Sequence, residues 1–327
     1  MKFHTIRLNA LTLGVLGTLG TLGTLGTLAL SSTAASAAPV LSANSAGSVT
    51  GQAGVTTSTT TLAPYASSRT AKSSADGTSD GSGWAHGNGA YAVNSDTAGK
   101  AAASGAAQYL FMLQNTTTVA QRYSMSFHIY RGFIDTNLFT GGIGLAGNDR
   151  LDSSYLASVL VGGNKVFSTG ASITRTTAGL TWAKSGVDLN GNDDGADGVY
   201  RWDDAYFTID LGLLDVGSSI EVSAQVGVST MADVGVYTYT PTGCGYGGYG
   251  GYGGAPCSPV TAFNGRSQAF YGDPVDFASS ADVESENPIV ITQEPVAPNN
   301  VPEPTSLALA AVGLAAAGLI RRRRDMR

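Results

Sequence analysis

Hydrophobic and polar residues alternate along the middle of this 327-residue chain. From Arg122 to Tyr130 the apolar positions are Tyr123, Met125, Phe127 and Ile129, and the polar positions are Ser124, Ser126 and His128. A period of two is typical of a strand with one buried face. The segment 108–114 is an apolar run of strand length, and the turn-forming residues 115–118 after it predict a β-hairpin with the alternating strand.

Further segments of strand length follow this pair. They are 155–161, 165–168, 171–176, 206–211, 220–228, 234–240 and 268–277. Residues 152–160 also fit a short capped helix, although the Val-rich end of this segment favours a strand. Because short strands are separated by Gly, Asn and Asp and helical signals are scarce, the sequence predicts an all-β fold, an antiparallel β-sandwich or jelly-roll-like domain.

The two ends of the chain read as targeting segments. Lys2 and Arg7 precede a Leu/Thr/Gly stretch and then small residues of A-x-A character, which predicts a signal peptide over residues 1–37 with cleavage after Ala37. The alternative is an uncleaved N-terminal anchor, but repeated glycine weakens a helix by roughly 1 kcal/mol per residue.

At the other end, Pro302, Glu303 and Pro304 precede the uncharged segment 307–320 and then four arginines, Arg321, Arg322, Arg323 and Arg324. As a helix, this segment covers about 21 Å, which is less than the roughly 30 Å of a hydrocarbon core. It is therefore expected to be a sorting helix and a transient transmembrane segment of marginal length. The arginines favour the cytoplasmic side, which places the rest of the chain outside. The alternative is an ordinary C-terminal membrane anchor.

The order Pro-Glu-Pro, short apolar segment and arginine cluster resembles the PEP-CTERM sorting signal over residues 301–327. The resemblance implies recognition by an exosortase, passing contact with the inner membrane and processing near Pro302, Glu303 and Pro304. It also implies a Gram-negative host that makes exopolysaccharide, and a location in the cell envelope, at the surface or in a biofilm matrix. It implies nothing about the activity of the domain that is sorted.

Between the two ends, composition divides the chain into three parts. Residues 38–83 are rich in Ser, Thr, Ala and Gly and are expected to be a flexible linker, with one peripheral strand possible over 49–62. Residues 84–279 are expected to form the β-sandwich domain. Residues 280–300 contain acidic residues and prolines and are expected to form an extended spacer before the sorting tail.

The exported part of the chain is acidic. Between Ala38 and Pro302 it contains 11 Lys and Arg against 22 Asp and Glu, a net charge of −11. Nucleic-acid binding requires clustered basic residues, so nucleic acid is not an expected partner. An acidic balance suits divalent cations.

Two cysteines, Cys244 and Cys257, enclose a Gly-Tyr repeat. An even pair in an exported chain favours a disulfide, whose closure of such a loop is worth on the order of 3 kcal/mol. A zinc site is the alternative, but two cysteines without a nearby histidine are too few ligands for it. The tyrosines of the repeat either stack on a partner or belong to a tolerated loop insertion.

An aspartate-rich segment offers candidate Ca²⁺ ligands: Asp188, Asn190, Asn192, Asp194 and Asp197. Asp and Asn at alternate positions with Gly at the bend supply the oxygens that Ca²⁺ prefers. The pattern is not an EF-hand, because Asn190 replaces the first Asp and Arg201 occupies the position of the bidentate Glu. The alternative is a solvated turn without an ion.

Catalytic motifs are absent from the sequence: there is no G-x-S-x-G elbow, no HExxH and no P-loop. The chain is therefore expected not to be an enzyme, and no resident cofactor besides Ca²⁺ is expected. Three functions remain, in decreasing order: a structural or adhesive protein of the surface or matrix, a carbohydrate-binding module and a secreted glycoside hydrolase. Trp84, Trp182 and Trp202 are the candidate sugar contacts, with exopolysaccharide as the candidate partner.

Overall fold

The computed structural model describes residues 35–36, 38–62, 64–139, 144–189, 191–192, 197–240, 258–272 and 289–296. The elements in these ranges are β-strands, and the pairings between them are antiparallel, so the all-β antiparallel prediction is confirmed. The strands are β1 (Ala35–Ser36), β2 (Val40–Val49), β3 (Val55–Thr61), β4 (Tyr65–Ser73), β5 (Gly77–His86), β6 (Tyr91–Gln114), β7 (Gln121–Ile129), β8 (Gly132–Leu138), β9 (Arg150–Val161), β10 (Asn164–Thr176), β11 (Gly179–Gly186), β12 (Gly191–Asn192), β13 (Val199–Trp202), β14 (Ala205–Leu214), β15 (Ser219–Asp233), β16 (Val236–Tyr239), β17 (Val260–Phe263), β18 (Gly265–Gly272) and β19 (Ile289–Pro295).

Fourteen of these strands form two layers that are continuous through β6. We call the layer with the order β3-β2-β6-β15-β9-β10-β11 sheet A, and the layer with the order β4-β5-β6-β18-β8-β13-β12 sheet B. Strand β1 also pairs with the end of β6. The fold is therefore sandwich-like, while the narrower jelly-roll assignment stays a prediction.

Strand β6 belongs to both sheets because it changes partners at Gly99. Residues 91–99 pair with β5 and β18. After the glycine, residues 101–110 pair with β2 and residues 100–114 pair with β15. Gly99 has a φ of 74°, which lies in the left-handed region that favours glycine. A β-carbon there would also lie 2.8 Å from the α-carbon of Gly77. The passage from one sheet to the other therefore requires glycine.

Sheets A and B approach each other closely where glycines face the opposite backbone. A β-carbon at Gly83 of β5 would lie 2.9 Å from the carbonyl oxygen of Asn44 in β2, and one at Gly105 would lie 2.7 Å from that of Asn94. Ordinary sheets stack roughly 10 Å apart. The spacing here is smaller because these glycines place no side chain between the two layers.

Hydroxyl groups fill the same narrow zone. The Ser45 hydroxyl on β2 is 2.8 Å from that of Ser68 and 2.9 Å from that of Thr70, both on β4. Ser95 and Thr230 pair in the same way at 2.6 Å. Because buried polar groups cost little when they are hydrogen-bonded, small residues build a stable core here without large apolar side chains.

The remainder of the core is aromatic. Tyr155 on β9 and Trp202 on β13 have ring centroids 4.3 Å apart, and Tyr271 on β18 is 5.3 Å from both. Trp202 and Tyr271 are at most 2% exposed. The wide part of the sandwich is filled by these rings.

A third sheet with the order β14-β7-β19 covers one side of this aromatic core, and we call it sheet C. The buried apolar residues of β7 are Tyr123, Met125, Phe127 and Ile129, so the predicted alternation in this strand is confirmed. Phe127 meets Phe167 of β10 edge-on, with centroids 5.0 Å apart. The predicted hairpin between 108–114 and β7 is wrong, because β7 pairs with β14 and β19 and belongs to a different sheet from β6.

The segment 38–83, expected to be a linker, carries β2, β3, β4 and most of β5. That expectation is wrong because the close approach of the sheets lets Ala, Ser, Thr and Gly fill the core. The predicted boundary at Trp84 falls inside β5, and residues 289–295 of the predicted spacer form β19, which pairs with β7. Residues 152–160 lie in β9, so the strand alternative is correct and the helix alternative is wrong.

Candidate functional site

The outer face of sheet A curves around a groove of about 700 Å³ that is lined mainly by small neutral residues. Among them are Asn44, Ser104, Gln108, Ser154, Gln225 and Ser229. The side-chain amides of Gln108 and Gln225 donate to the Ser223 hydroxyl at 3.0 and 3.1 Å. Tyr155 also borders the groove, but its ring lies in the core. This face therefore offers polar groups that bond to each other and no aromatic surface.

The outer face of sheet B carries a group of rings. Tyr65 on β4 is directly opposite His86 on β5, and the rings of His86 and Trp84 have centroids 5.7 Å apart. Ala66 and Ala85, the alternate residues, lie in the core, so the three rings point outward. Tyr65 is 57% exposed. We call Tyr65, Trp84 and His86 the ring cluster.

The turn after β5 holds the ring cluster in place. The Nδ1 atom of His86 is 2.9 Å from Oδ1 of Asn88, and the same amide oxygen accepts from the backbone NH of Ala90 at 3.0 Å. The backbone NH of Gly87 donates to the carbonyl oxygen of Pro64 at 2.7 Å, which ties this turn to the start of β4. These contacts fix the His86 imidazole and the position of this turn against the start of β4.

Beside the ring cluster, four polar side chains form a row across sheet B: Asp80, Asp96, Gln268 and Asp135. Like charges directly opposite one another destabilise a sheet, and here each of the first two carboxylates has its own arginine. Arg69 contacts Asp80 through Nε at 3.1 Å and Nη2 at 2.6 Å. Arg266 contacts both carboxylate oxygens of Asp96 in the same two-point manner.

Asp135 has a different environment because it is only 5% exposed. Burial raises the pKa of its carboxyl to about 6, although Arg201, Arg175 and Arg266 lie close enough to oppose the shift. Oδ2 accepts from the Asn137 amide at 2.6 Å. The carboxyl therefore takes up a proton in mildly acidic solution.

A second pair of rings lies at the far side of the same face. Phe270 on β18 and Phe133 on β8 are directly opposite each other, with centroids 6.3 Å apart. The row of paired residues continues from Phe270 to Asn94 on β6 and from Asn94 to Ser82 on β5. The outer face of sheet B thus has rings at both ends and amide, hydroxyl, carboxylate and guanidinium groups between them.

Such a face is suited to sugars. A sugar ring has a face of C–H groups and an edge of hydroxyls, so it needs broad apolar surface next to hydrogen-bonding groups. Aromatic side chains supply that surface with few rotatable bonds, and paired Arg–Asp groups supply oriented donors and acceptors.

The three tryptophans named from the sequence have different environments. Trp202 is 2% exposed and donates its indole NH to the Tyr130 carbonyl oxygen at 3.1 Å, so it is a core residue and no sugar contact. Trp182 is 41% exposed, but Nζ of Lys184 lies 5.2 Å from its ring centroid and covers one face. Only Trp84 lies within a group of outward rings.

Tyr65, the most exposed member of the ring cluster, was missed because it falls in the segment expected to be a linker. Between Tyr65 and Ser73, the buried positions Ala66, Ser68 and Thr70 recur with a period of two, as in a strand. None of the three is a large apolar residue, so the hydrophobic pattern of the sequence does not show this strand.

The structure describes only part of the predicted Ca²⁺ segment. The Asp188 carboxylate is 2.9 Å from Nζ of Lys184, and the backbone carbonyl of Asp197 accepts from Arg175 at 2.6 Å. Asn190 and Asp194 lie outside the described residues, and so does the side chain of Asn192. Within the described ranges, no group of three or more His, Cys, Asp or Glu is placed to hold a metal. The calcium assignment stays a prediction.

Other predicted features also lie outside the described residues. They are the signal peptide apart from Ala35 and Ser36, Cys244 and Cys257 with their Gly-Tyr repeat, the spacer apart from residues 289–296, and the sorting tail. The assignments of the signal peptide and of the disulfide stay predictions from the sequence. Among the residues that are described, no helix is long and apolar enough to cross a membrane.

Comparison with known proteins finds one similarity. The family model of the PEP-CTERM protein-sorting motif matches residues 300–324. No curated protein and no solved structure matches the chain. The match covers Pro302, Glu303, Pro304 and the arginines up to Arg324. The chain therefore carries a PEP-CTERM sorting motif, which identifies it as an exported bacterial protein that an exosortase recognises and sorts to the cell envelope.

Proposed function

We propose that this chain is an adhesive or structural protein of the cell surface or extracellular matrix that holds exopolysaccharide on the outer face of sheet B. Its sorting motif supports a location in the envelope, where such a polymer is found. The host is proposed to be a Gram-negative bacterium that builds a polysaccharide biofilm.

The observation that carries the proposal is the ring cluster of Tyr65, Trp84 and His86 on the outer face of sheet B. An exposed tyrosine beside a tryptophan and an imidazole has no role in the core. It does provide a platform on which the C–H face of a sugar can stack. The Arg69–Asp80 pair on the same face is positioned to bond to sugar hydroxyls.

Carbohydrate binding without catalysis is the proposed activity. A glycoside hydrolase needs one carboxylic acid that donates a proton and a second carboxylate nearby. On this face Asp80 and Asp96 are each bound by an arginine, which occupies their carboxylate oxygens. Asp135, whose pKa is raised, is buried away from any sugar that lies on the face.

A glycan array with the full exported chain tests this proposal. Neutral and acidic polysaccharides, including the exopolysaccharide of the producing bacterium, are arrayed and bound protein is measured. We expect concentration-dependent binding to at least one extended polysaccharide and no release of reducing sugar during incubation. Absence of binding to every polysaccharide, including that of the host, would rule out the proposal.

A further inference from the structure

Strand β3 is an edge of sheet A. Within the described part of the chain it pairs with β2 on one side, through residues Val55–Thr61, and no other strand pairs with it. Its side chains are mostly exposed on both faces. An edge strand presents backbone NH and carbonyl groups in the spacing that another extended strand can match.

The sequence of β3 lacks the features that usually prevent edge pairing. Natural edge strands are protected by charged side chains, proline, bulges or short length. The sequence VTTSTTT has no charge, no proline and no glycine, and five of its seven residues are threonine. Uncharged seven-residue segments of high β-propensity are those that add strands most readily.

The charge distribution of the chain also favours approach at this edge. Two copies with a net charge of −11 repel each other, so contact is least costly where charge is lowest. From Leu8 to Ser68 the sequence contains no Asp, Glu, Lys or Arg. Strands β2 and β3 lie entirely in that interval, whereas the Arg–Asp pairs described above lie on sheet B.

Contacts from sheet B hold β3 extended. The Ser68 hydroxyl donates to the carbonyl oxygen of Thr57 at 2.8 Å, and the hydroxyls of Thr70 and Thr57 are 3.3 Å apart. On the other face of sheet A, the hydroxyls of Ser42 and Thr60 are 3.2 Å apart. A fixed strand loses little conformational entropy when a second strand binds to it.

We propose that β3 pairs antiparallel with β3 of a second copy of this chain, across a two-fold axis at Ser58. The segment is self-complementary in this register, because almost every cross-strand pair consists of two hydroxyl side chains. The pairs are Ser58 with Ser58, Thr57 with Thr59, Thr56 with Thr60 and Val55 with Thr61. Sheet A then continues from one copy into the other.

Charge substitution at Ser58 tests the pairing in the full exported chain by sedimentation velocity. In Ser58→Lys and in Ser58→Glu, identical charges meet on the axis, and the dimer dissociation constant should rise at least about tenfold. An equimolar mixture of the two variants should restore the dimer. Ser185→Lys, on the opposite edge strand β11, is the matched control and should leave the dimer unchanged.

The proposal is wrong if the wild-type chain sediments as a monomer up to its solubility limit, or if Ser58→Lys dimerises like the wild type. Circular dichroism checks that the charged variants are folded. If they are not, Ser58→Cys provides the second measurement, because a residue on a two-fold axis meets its own copy. Mass spectrometry should then find a disulfide-linked peptide that joins the cysteines introduced at position 58 of the two copies. Its absence from a folded Ser58→Cys protein under oxidising conditions would also overturn the pairing.

Discussion

The α-carbon of Gly105 in sheet A faces the carbonyl oxygen of Ser82 in sheet B so closely that no β-carbon fits between them. The Asn94 carbonyl closes the same space from another direction. A contact between an α-carbon and a carbonyl oxygen of this kind is weakly attractive, and it replaces the side-chain layer of an ordinary sandwich. Glycine is therefore part of the architecture at this position.

Substituting Gly105→Ala should lower the free energy of unfolding by at least about 2 kcal/mol, because the backbone of one sheet must move to admit a methyl group. Gly227→Ala is the matched control. Gly227 lies on the neighbouring strand β15, and its added β-carbon would be 3.7 Å from the nearest atom, an ordinary contact. Urea denaturation of both variants measures the difference. Equal stability of the two variants would contradict the close approach of the sheets.

The buried carboxyl of Asp135 should give stability a pH dependence of defined sign. Its pKa of about 6 in the folded state is above that of an exposed aspartate, so the folded state binds the proton more tightly. The stabilisation is complete below about pH 4 and is lost as the pH rises through 6. Asp135→Asn should therefore become more stable than the wild type above pH 6, by on the order of 2 kcal/mol.

Urea denaturation of the wild type and Asp135→Asn between pH 4.5 and 7.5 measures this difference. Asp210→Asn is the control on an exposed carboxyl, whose pKa is lowered by its hydrogen bond to Arg122. That variant should be slightly less stable than the wild type at neutral pH and should approach it in acid. Parallel stability curves for the wild type and Asp135→Asn would show that the carboxyl does not titrate in this range.

Processing should remove both ends of the chain. The surface protein should begin at Ala38 and lack the segment after about Pro304. Replacing Pro302, Glu303 and Pro304 with alanine should leave the precursor in the inner membrane, whereas Asn299→Ala should have no effect. Intact-mass spectrometry of protein from the native host measures both ends. A surface protein that still ends at Arg327 would contradict exosortase processing.

The aspartate-rich segment is predicted to bind Ca²⁺ in competition with Lys184, which pairs with Asp188. A ligand bound only by the folded state adds about 2.7 kcal/mol at a hundredfold excess over Kd. The melting temperature of the exported chain should therefore rise in millimolar Ca²⁺ and fall with chelator. The double variant Asp188→Ala, Asp194→Ala should lose this response. A wild-type melting curve that Ca²⁺ does not move would reduce the segment to a solvated turn.

Sequence periodicity predicted the strands that combine apolar and polar residues, such as β7 and β15. It allowed a peripheral strand over 49–62, which contains β3, but it did not predict β2, β4 or β5, because most of their buried positions are Ala, Ser, Thr or Gly. Ala43, Ser45 and Gly83 fill the core only because the opposite sheet lies close to them. That distance is a property of the assembled sandwich and cannot be read from the sequence. Only then do residues that bury little surface individually form a close-packed core.

The candidate site was predictable only in part. Trp84 was named, but so was Trp202, because the sequence does not show which face of a strand meets the core. The grouping of Tyr65 with Trp84 and His86 depends on the register between β4 and β5. The row of Asp80, Asp96 and Asp135 likewise depends on strand pairing, because β18, which lies between β6 and β8, comes from a much later part of the chain.

The most direct test of polysaccharide adhesion is affinity electrophoresis of the exported chain in gels that contain the exopolysaccharide of the producing bacterium. The wild type should be retarded. Tyr65→Ala should weaken the retardation, and the double variant Tyr65→Ala, Trp84→Ala should reduce the affinity at least about tenfold, a loss of about 1.4 kcal/mol. Trp182→Ala removes an exposed tryptophan from the other sheet and should be retarded like the wild type. A folded double variant that is retarded as strongly as the wild type would contradict adhesion through the outer face of sheet B.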